Sequence, residues 1–425
     1  MKVAVVGSGG REHALALALA ADPSVTGVAV VPGNPGMAAL AAAAGDDRVR
    51  CVDADPEAVD ADLWIIGPEA PLVAGLADRL RAAGRLVFGP GADGARLEGS
   101  KAWMKDVLSG AGVPTAAYAS FAGPDEADAA VRYLRSLPPP WVVKTDGLAA
   151  GKGVLVTTDR AAAEADARAK LAGTAFGDAG RRVVIEEGLA GVELSVLAVC
   201  DGRRAVPLAP ARDHKRVGDG DTGANTGGMG AFSPVPGAGD AVVAEIMERC
   251  VTPTLDALRQ RGIDYRGVLY AGLMLTPAGP RVVEFNVRFG DPETQVVLAR
   301  FEGELAALLV AAARGDLESA GPPRFAPGAA VHVVLAAGGY PEAARTGDPL
   351  DPARLASAAR LPGVGVIAAG VAAGEGGGLR TAGGRVLGVT GTGPTLAAAR
   401  ERAYAGVEAV AWPGCHYRHD IAAGA

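Results

Sequence analysis

The first hundred residues alternate short apolar runs with Ala-rich segments of helical character. Four of the apolar runs have the length of a buried strand, and glycine or proline follows each of them: Lys2–Val6, Val28–Val31, Leu63–Ile66 and Leu86–Phe88. Continuous apolar runs are typical of strands that are covered on both faces of a sheet. Because strands and helices alternate, we predict a parallel α/β domain over residues 1–100.

After residue 100 the pattern changes to strands that are joined by glycine-rich turns. Ser100 is a predicted N-cap for a helix that carries Lys101 and Lys105, four residues apart, on one face. Further strands are predicted at Trp141–Thr145, Val154–Thr157, Val183–Glu186 and Glu193–Val199, followed by a hairpin of Gly267–Thr276 and Arg281–Val287.

A Gly- and Pro-rich stretch over residues 321–328 indicates a linker. Beyond it, strand patterns recur at Val331–Ala336, Gly365–Ala368 and Arg385–Thr390, and an Ala-rich helix is expected near Thr395–Val410. We therefore predict a small α+β domain at the C-terminus.

Composition excludes several classes of protein. The 425 residues carry a net charge of −7, whereas broad nucleic-acid binding favours a basic surface, so we expect no nucleic-acid partner. No apolar run reaches the length that spans a bilayer, so no membrane association is expected. The four cysteines show no zinc or redox spacing, which predicts a reducing compartment and a cytoplasmic location. The length predicts two to four domains.

The first motif is Gly7-Ser8-Gly9-Gly10-Arg11, between a predicted strand and a helix. Glycines at this place let a phosphate approach the amide groups of the helix N-terminus. A dinucleotide fingerprint would have a third glycine at position 12, where Glu12 stands, and an acid after the second strand. We therefore expect a sugar phosphate or monophosphate rather than NAD; a tight turn without a ligand is the alternative.

The second motif is the glycine-rich loop at residues 146–153, which joins two predicted strands. It lacks the Ser or Thr and the following helix of a Walker A loop. We interpret it as a lid whose backbone amides cover nucleotide phosphates. Lys144, just before it, is suited to neutralise a transferring phosphoryl group. A flexible hairpin without a ligand is the alternative.

The third motif follows the strand that contains Glu284 and Asn286. These two side chains point to one face of the strand. A carboxylate and an amide oxygen side by side suit Mg²⁺, which takes its remaining ligands from phosphate and water. Arg288, on the same face, is suited to hold a carboxylate or a developing oxyanion. A polar, solvated strand face is the alternative.

The fourth motif is a long polar loop from Asp213 to Gly230, which includes His214 and Lys215. It is too polar and glycine-rich for a core and too charged for a passive linker. Loops of this length in compact proteins are usually functional or disordered, and both readings stay open here.

Taken together, these segments resemble the phosphoribosylamine–glycine ligase family, also called glycinamide ribonucleotide synthetases, whose members are ATP-grasp enzymes. The resemblance runs nearly end to end, and the order and spacing of its segments are specific. It is carried by residues 7–13, 32–36, 67–69, 100–101, 144–153, 213–230 and 284–295. Departures from the family pattern lie mostly at the C-terminus, at residues 366–371 and 420–425, with Arg212 as a further one.

The resemblance implies a division into three domains. An N-terminal α/β substrate domain covers residues 1–100. A central ATP-grasp domain covers residues 101–325 and includes a mobile lid at about 120–190. A small C-terminal α+β domain covers residues 326–425.

The resemblance also implies the cofactors and the residues of the site. ATP and Mg²⁺ are the implied cofactors, with Mn²⁺ as an alternative ion, and Glu284 and Asn286 are the implied metal ligands. ATP contacts are implied at Lys105, Lys144, Gly151, Lys152, Gly153, Glu186, Glu187, Leu189 and Glu193. Substrate contacts are implied at Gly9, Gly10, Arg11, Glu12, Asn34, Pro35, Gly36, Asp213, Lys215 and Arg288. Catalytic roles are implied for Arg288, Lys144 and Asp213.

The implied reaction joins glycine to phosphoribosylamine through glycyl phosphate, in purine biosynthesis. A transient contact with the enzyme that supplies phosphoribosylamine is a further expectation. Another ATP-grasp carboxylate–amine ligase, or a purine-precursor carboxylase that uses bicarbonate, is the nearest alternative. A non-catalytic nucleotide sensor and an NAD-dependent oxidoreductase are more distant ones.

Overall fold

The computed structural model describes residues 1–148, 153–175 and 181–425. The N-terminal part is a five-stranded parallel sheet in which the first strand is central, in the order third, second, first, fourth, fifth. Its strands are Lys2–Gly7, Gly27–Pro32, Val49–Cys51, Leu63–Ile66 and Val87–Phe88. Its helices are Gly10–Ala21, Pro35–Ala44, Glu69–Val73, Leu76–Ala82 and Ala92–Gly99, with a 3₁₀ turn at Pro56–Ala58. The predicted parallel α/β domain is confirmed.

Helix Lys101–Gly110 begins at Ser100, whose hydroxyl accepts a hydrogen bond from the Trp103 amide, as predicted. An antiparallel four-stranded sheet follows, in the spatial order Tyr118–Ala122, Arg182–Glu187, Trp141–Thr145 and Val154–Thr157. Helices Ala127–Ser136 and Arg160–Leu171, with a 3₁₀ turn at Pro124–Glu126, cover it. This unit, called the lid below, has an apolar core of its own, separate from the main core.

The central sheet is antiparallel and contains the predicted hairpin. In spatial order its strands are Ala205–Pro207, Val192–Asp201, Arg266–Thr276 and Gly279–Asn286. The hairpin has an irregularity beside Gly272, which lies opposite Glu284. The helices of this region are Asp240–Ile246, Thr252–Gln260, Glu293–Leu298 and Leu305–Arg314, with a π-helical turn at Met247–Val251 and a 3₁₀ turn at Leu317–Ala320.

A third sheet joins the polar loop to the C-terminal residues. Its strands, in spatial order, are Arg212–Asp213, Gly230–Ser233, Ala329–Ala336, Arg385–Gly393 and Val364–Ala368. Between its first two strands, Arg216–Gly218 pairs with Thr222–Asn225 to form a two-stranded ribbon. The long helix Leu396–Val410 packs on the sheet.

The remaining C-terminal elements are small. Pro349–Leu350, Leu379–Thr381 and Val371–Ala373 form a three-stranded sheet, Phe301–Glu302 pairs with Arg324–Phe325, and Pro352–Ala358 and Glu375–Gly377 are short helical segments. Within the described ranges, no helix is both long enough and apolar enough to cross a membrane.

Candidate active site

Two cavities meet at the centre of the molecule. The larger, about 630 Å³, lies among helices and loops of the N-terminal domain, the hairpin and the C-terminal residues. The second, about 490 Å³, lies between the lid and the central sheet. The residues that line both cavities are Val154, Asp213, Lys215, Asn225, Thr226 and Glu284. A ligand in one cavity can therefore contact a ligand in the other beside Asp213, Lys215 and Glu284.

A buried triad of charges lies at the wall of the second cavity. Glu186 lies between two lysines, with Lys105 Nζ 2.9 Å from Oε2 and Lys144 Nζ 2.8 Å from Oε1. All three side chains are at most 4% exposed. Burial raises the pKa of Glu186, but Lys144 and Lys105 outweigh it and hold that pKa below its ordinary value. Burial also lowers the pKa of Lys105 to about 8, against the opposing effect of Glu186.

The two lysines differ in their access to the cavity. Lys144 and Glu186 line the second cavity, whereas Lys105 is fully buried behind Glu186 and lines neither cavity. Lys105 also donates to Thr115 Oγ1 at 2.7 Å. The implied contact of Lys105 with ATP stays a prediction, and the contact that the structure shows is its ion pair with Glu186.

The other residues implied for ATP converge on the second cavity. Glu187, Leu189 and Glu193 line it. Glu187 Oε1 accepts from the Ala117 amide at 2.9 Å and from Arg281 at 2.8 Å. Gly153 lines the larger cavity. The predicted lid residues Gly151 and Lys152 lie outside the described residues.

Glu284 and Asn286 both line the larger cavity, and Glu284 lines the second cavity as well. Burial raises the pKa of Glu284, but Lys215, Lys144 and Lys101 hold it below its ordinary value, so this side chain is a carboxylate. Across the part of the chain that the structure describes, no three His, Cys, Asp or Glu side chains form a metal cluster. One carboxylate and one amide oxygen suit a hard cation that also binds phosphate and water, as Mg²⁺ does.

Arg288 is held by two acidic side chains from the N-terminal part of the chain. Its Nε lies 3.3 Å from Glu69 Oε2, and its NH2 lies 3.0 Å from Glu98 Oε1. Its NH2 also lies 3.3 Å from Asn286 Oδ1, and its NH1 donates to the Phe289 carbonyl. Despite its burial, the pKa of Arg288 is raised by Glu98 and Glu69. Most of its donors are therefore committed, which fixes the guanidinium in the cavity wall beside the predicted metal ligands.

Asp213 and Lys215 form an ion pair at the junction of the cavities. Lys215 Nζ lies 2.8 Å from Asp213 Oδ1 and 3.4 Å from Glu193 Oε2. Burial lowers the pKa of Lys215, but Asp213 and its other neighbours raise it well above the ordinary value. Lys215 is therefore a permanent cation at the junction.

Glu293 is a site residue that the sequence analysis did not single out. Its Oε1 accepts a hydrogen bond from the Tyr270 hydroxyl at 2.5 Å, and both residues line the larger cavity. Burial, reinforced by the nearby Asp213, raises the pKa of Glu293 to about 7. It lies within residues 284–295, which carry the family resemblance, and that was the signal available in the sequence.

The glycine-rich turn at residues 7–10 is covered by Glu12, a side chain of the helix Gly10–Ala21 that follows it. Glu12 accepts from the Gly9 amide at 2.7 Å and from Arg11 Nε at 2.5 Å. A Cβ atom built on Gly67 would lie 2.0 Å from Glu12 Oε1, so Glu12 fills the space above this glycine. Arg11 lines the larger cavity, whereas Glu12 is buried beneath it. Gly9 and Gly10 line neither cavity.

Asn34, Pro35 and Gly36 begin the second helix of the N-terminal domain and line neither cavity. Asn34 Oδ1 accepts from the Met37 amide, and its Nδ2 donates to the carbonyls of Ser8, Ala368 and Ala369. These contacts tie the N-terminal domain to the C-terminal residues. The substrate contacts predicted for these three residues remain untested.

Two further cations reach the larger cavity. Lys101 donates to the Gly147 carbonyl at 2.9 Å. Arg385, from the C-terminal part, lies 2.8 Å from Asp291 Oδ2 and donates to the carbonyl of Gly227. With Arg11, Lys101, Lys215, Arg288 and Arg385 in its lining, the cavity is equipped to bind a phosphorylated ligand.

Comparison with known proteins extends over the whole chain. Residues 1–98, 99–294 and 330–424 match the N domain, the ATP-grasp (A) domain and the C domain of phosphoribosylglycinamide synthetase. A phosphoribosylamine–glycine ligase of Streptomyces coelicolor is 50% identical over 425 residues, which cover 100% of this chain and 99% of the relative. Another from Caulobacter vibrioides is 46% identical, with 99% and 97% covered. The crystal structure of the Thermotoga maritima phosphoribosylamine–glycine ligase matches with a TM-score of 0.85 and 36% identity, over 99% of this chain and 100% of that one.

Proposed function

The chain belongs to the phosphoribosylglycinamide synthetase family, and from this premise we propose how its site joins glycine to phosphoribosylamine with ATP. The product is glycinamide ribonucleotide, an intermediate of purine biosynthesis, released with ADP and phosphate. The observation that carries the proposal is the junction of the two cavities at Asp213, Lys215 and Glu284.

The second cavity takes ATP, with the nucleoside beside Glu187, Leu189 and Glu193 and the phosphates beside Lys144. The larger cavity takes glycine and phosphoribosylamine. Glu284 and Asn286 would hold Mg²⁺, or Mn²⁺ in its place, which when bound would supply positive charge to offset that of the ATP phosphates.

The first chemical step is a phosphoryl transfer. A carboxylate oxygen of glycine attacks the γ-phosphorus, the bond to the β–γ bridging oxygen breaks, and ADP leaves. Phosphoryl transfer depends mainly on positioning and charge neutralisation. Lys144 and Lys215 supply positive charge near Glu284, and Arg288 orients the glycine carboxylate.

The second step forms the amide. The amine nitrogen of phosphoribosylamine attacks the carbonyl carbon of glycyl phosphate, the carbon–oxygen bond to phosphate breaks, and the proton lost by the nitrogen leaves with the phosphate. Water would hydrolyse glycyl phosphate, so closure of the lid would serve to exclude it. Arg11 and Arg385 are placed to bind the sugar phosphate.

The test is a product assay by mass. The purified protein, given ATP, Mg²⁺, glycine and phosphoribosylamine, is expected to release the amide product with stoichiometric ADP, and each omission is expected to abolish it. Bicarbonate in place of glycine tests the carboxylase alternative and is expected to give no ADP. Bicarbonate-dependent ADP release without an amide product would overturn the proposal. The predicted cytoplasmic location and the contact with an upstream enzyme stay predictions.

A further inference from the structure

The last ten residues of the chain, called the tail below, contact the ribbon that Arg216–Gly218 and Thr222–Asn225 form. Arg418 is the centre of this contact and is only 1% exposed. Its NH1 lies 2.7 Å from Asp221 Oδ1 and donates to the Arg216 carbonyl at 3.1 Å. Its Nε and NH2 donate to the two carboxylate oxygens of Asp420 at 2.7 and 2.6 Å. One buried guanidinium thus contacts the first strand of the ribbon, the turn that follows it and the tail itself.

Other tail residues repeat the same connection. Asp420 Oδ2 accepts from the Gly220 amide at 2.8 Å. The His419 amide donates to Asp219 Oδ1 at 2.8 Å, and His416 Nε2 lies 2.7 Å from the Val217 carbonyl oxygen. The tail therefore holds the ribbon along most of residues 216–221.

The tail is itself anchored to the rigid part of the C-terminal domain. Ala336, in the third sheet, exchanges two backbone hydrogen bonds with His416. Tyr404, on the long helix Leu396–Val410, donates its hydroxyl proton to the Arg418 carbonyl at 2.7 Å. The ribbon is thereby tied, through the tail, to a packed sheet and helix.

The functional consequence lies at the two ends of the ribbon. Asp213 and Lys215 precede it, and Asn225 and Thr226 close it, and all four line both cavities. The ribbon between them is largely exposed or half-buried and has little apolar packing of its own. Its position therefore depends on polar contacts, and Arg418, which is buried, makes two of them.

We propose that Arg418 is a positioning residue, which fixes the ribbon and so places Asp213 and Lys215 at the junction of the cavities. This inference rests on the roles proposed above for Asp213 and Lys215. Arg418 lines neither of the two cavities. Misplacement of a reacting constellation by about 1 Å lowers rates on the order of 100-fold, so loss of this contact is expected to lower kcat rather than to unfold the protein.

The test uses Arg418→Met in the full-length protein, with Arg402→Met as the matched control. Arg402 lies on the long helix Leu396–Val410, which also carries Tyr404, and it donates to the Thr392 carbonyl, away from the ribbon. Arg418→Met is expected to lower kcat about 10- to 100-fold and to accelerate amide exchange in residues 214–226, with exchange in the lid unchanged. Arg402→Met is expected to leave both unchanged. Equal turnover and equal ribbon exchange in the two variants would overturn the inference.

A second variant keeps the test decisive if Arg418→Met fails to fold. Asp221 is 56% exposed, with a φ of 54° that asparagine tolerates, so Asp221→Asn removes the charge without a packing defect. It is expected to keep the wild-type unfolding temperature, to lower kcat, and to add nothing further when combined with Arg418→Met. Normal turnover of Asp221→Asn, or independent effects that multiply, would overturn the inference.

Failure of the inference and failure of the proposed function are distinguishable. Lys215→Ala with wild-type turnover would refute the roles proposed at the junction. Lys215→Ala with impaired turnover, beside normal Arg418→Met and Asp221→Asn variants, would refute only the positioning role of the tail.

Discussion

Glu186→Gln tests how much the buried triad stabilises the lid, because it removes one charge with almost no change of shape. Lys105 and Lys144 would then share a neutral amide that can accept from only one of them. Removing one partner from a buried ion pair costs about 3–5 kcal/mol. Each lysine keeps one neutral acceptor, Thr115 Oγ1 or the Val283 carbonyl. We therefore expect the lower end, a loss of about 3 kcal/mol in the free energy of local unfolding of the lid.

Native-state amide exchange measures this loss where it arises. At about 1.4 kcal/mol per factor of ten, the protected amides of Trp141–Thr145 and Arg182–Glu187 are expected to exchange on the order of 100-fold faster. Glu164→Gln is the matched control, because it breaks an ion pair with Arg135 in the same lid, at the surface. Surface pairs contribute little, so its exchange is expected to stay near wild type. Equal exchange in the two variants would refute the assignment of a stabilising charge triad.

Two further predictions concern carboxyl side chains that line the larger cavity. Glu284→Ala is expected to fold normally but to lose nearly all glycine-dependent ADP release, whereas the exposed control Glu302→Ala keeps it; near-normal release by Glu284→Ala would refute the metal assignment. Because burial and Asp213 raise the pKa of Glu293 from 4.5 to about 7, the folded protein binds a proton between these pH values that the unfolded chain has lost. Stability is therefore expected to fall as pH rises through this window, by about 3 kcal/mol relative to Glu293→Gln, and parallel pH–stability curves for the two proteins would contradict it.

The N-terminal strands and the shared face of the predicted metal ligands could be predicted because their signals are local in the sequence. Apolar runs that end in glycine or proline located the N-terminal strands, and the alternation of Glu284 and Asn286 placed both on one cavity wall. The strand Val49–Cys51 was missed because its three residues include the exposed Arg50 and form no apolar run.

The contacts that complete the site could not be predicted in the same way. Glu69 and Glu98 reach Arg288 across 219 and 190 positions of the chain, and Arg418 reaches Asp221 across 197. Periodicity and turn chemistry describe neighbours along the chain, whereas these pairs exist only because three sheets pack together. For the same reason the sequence could not show that Lys105 lies behind Glu186.

The central claim is that glycine is activated by phosphorylation at the junction of the two cavities. Glycine labelled with ¹⁸O in its carboxylate tests it directly, with ATP and phosphoribosylamine unlabelled. If glycyl phosphate forms, each molecule of inorganic phosphate released carries one ¹⁸O atom from glycine, and the amide product keeps the other. Unlabelled phosphate formed together with the amide would contradict the account.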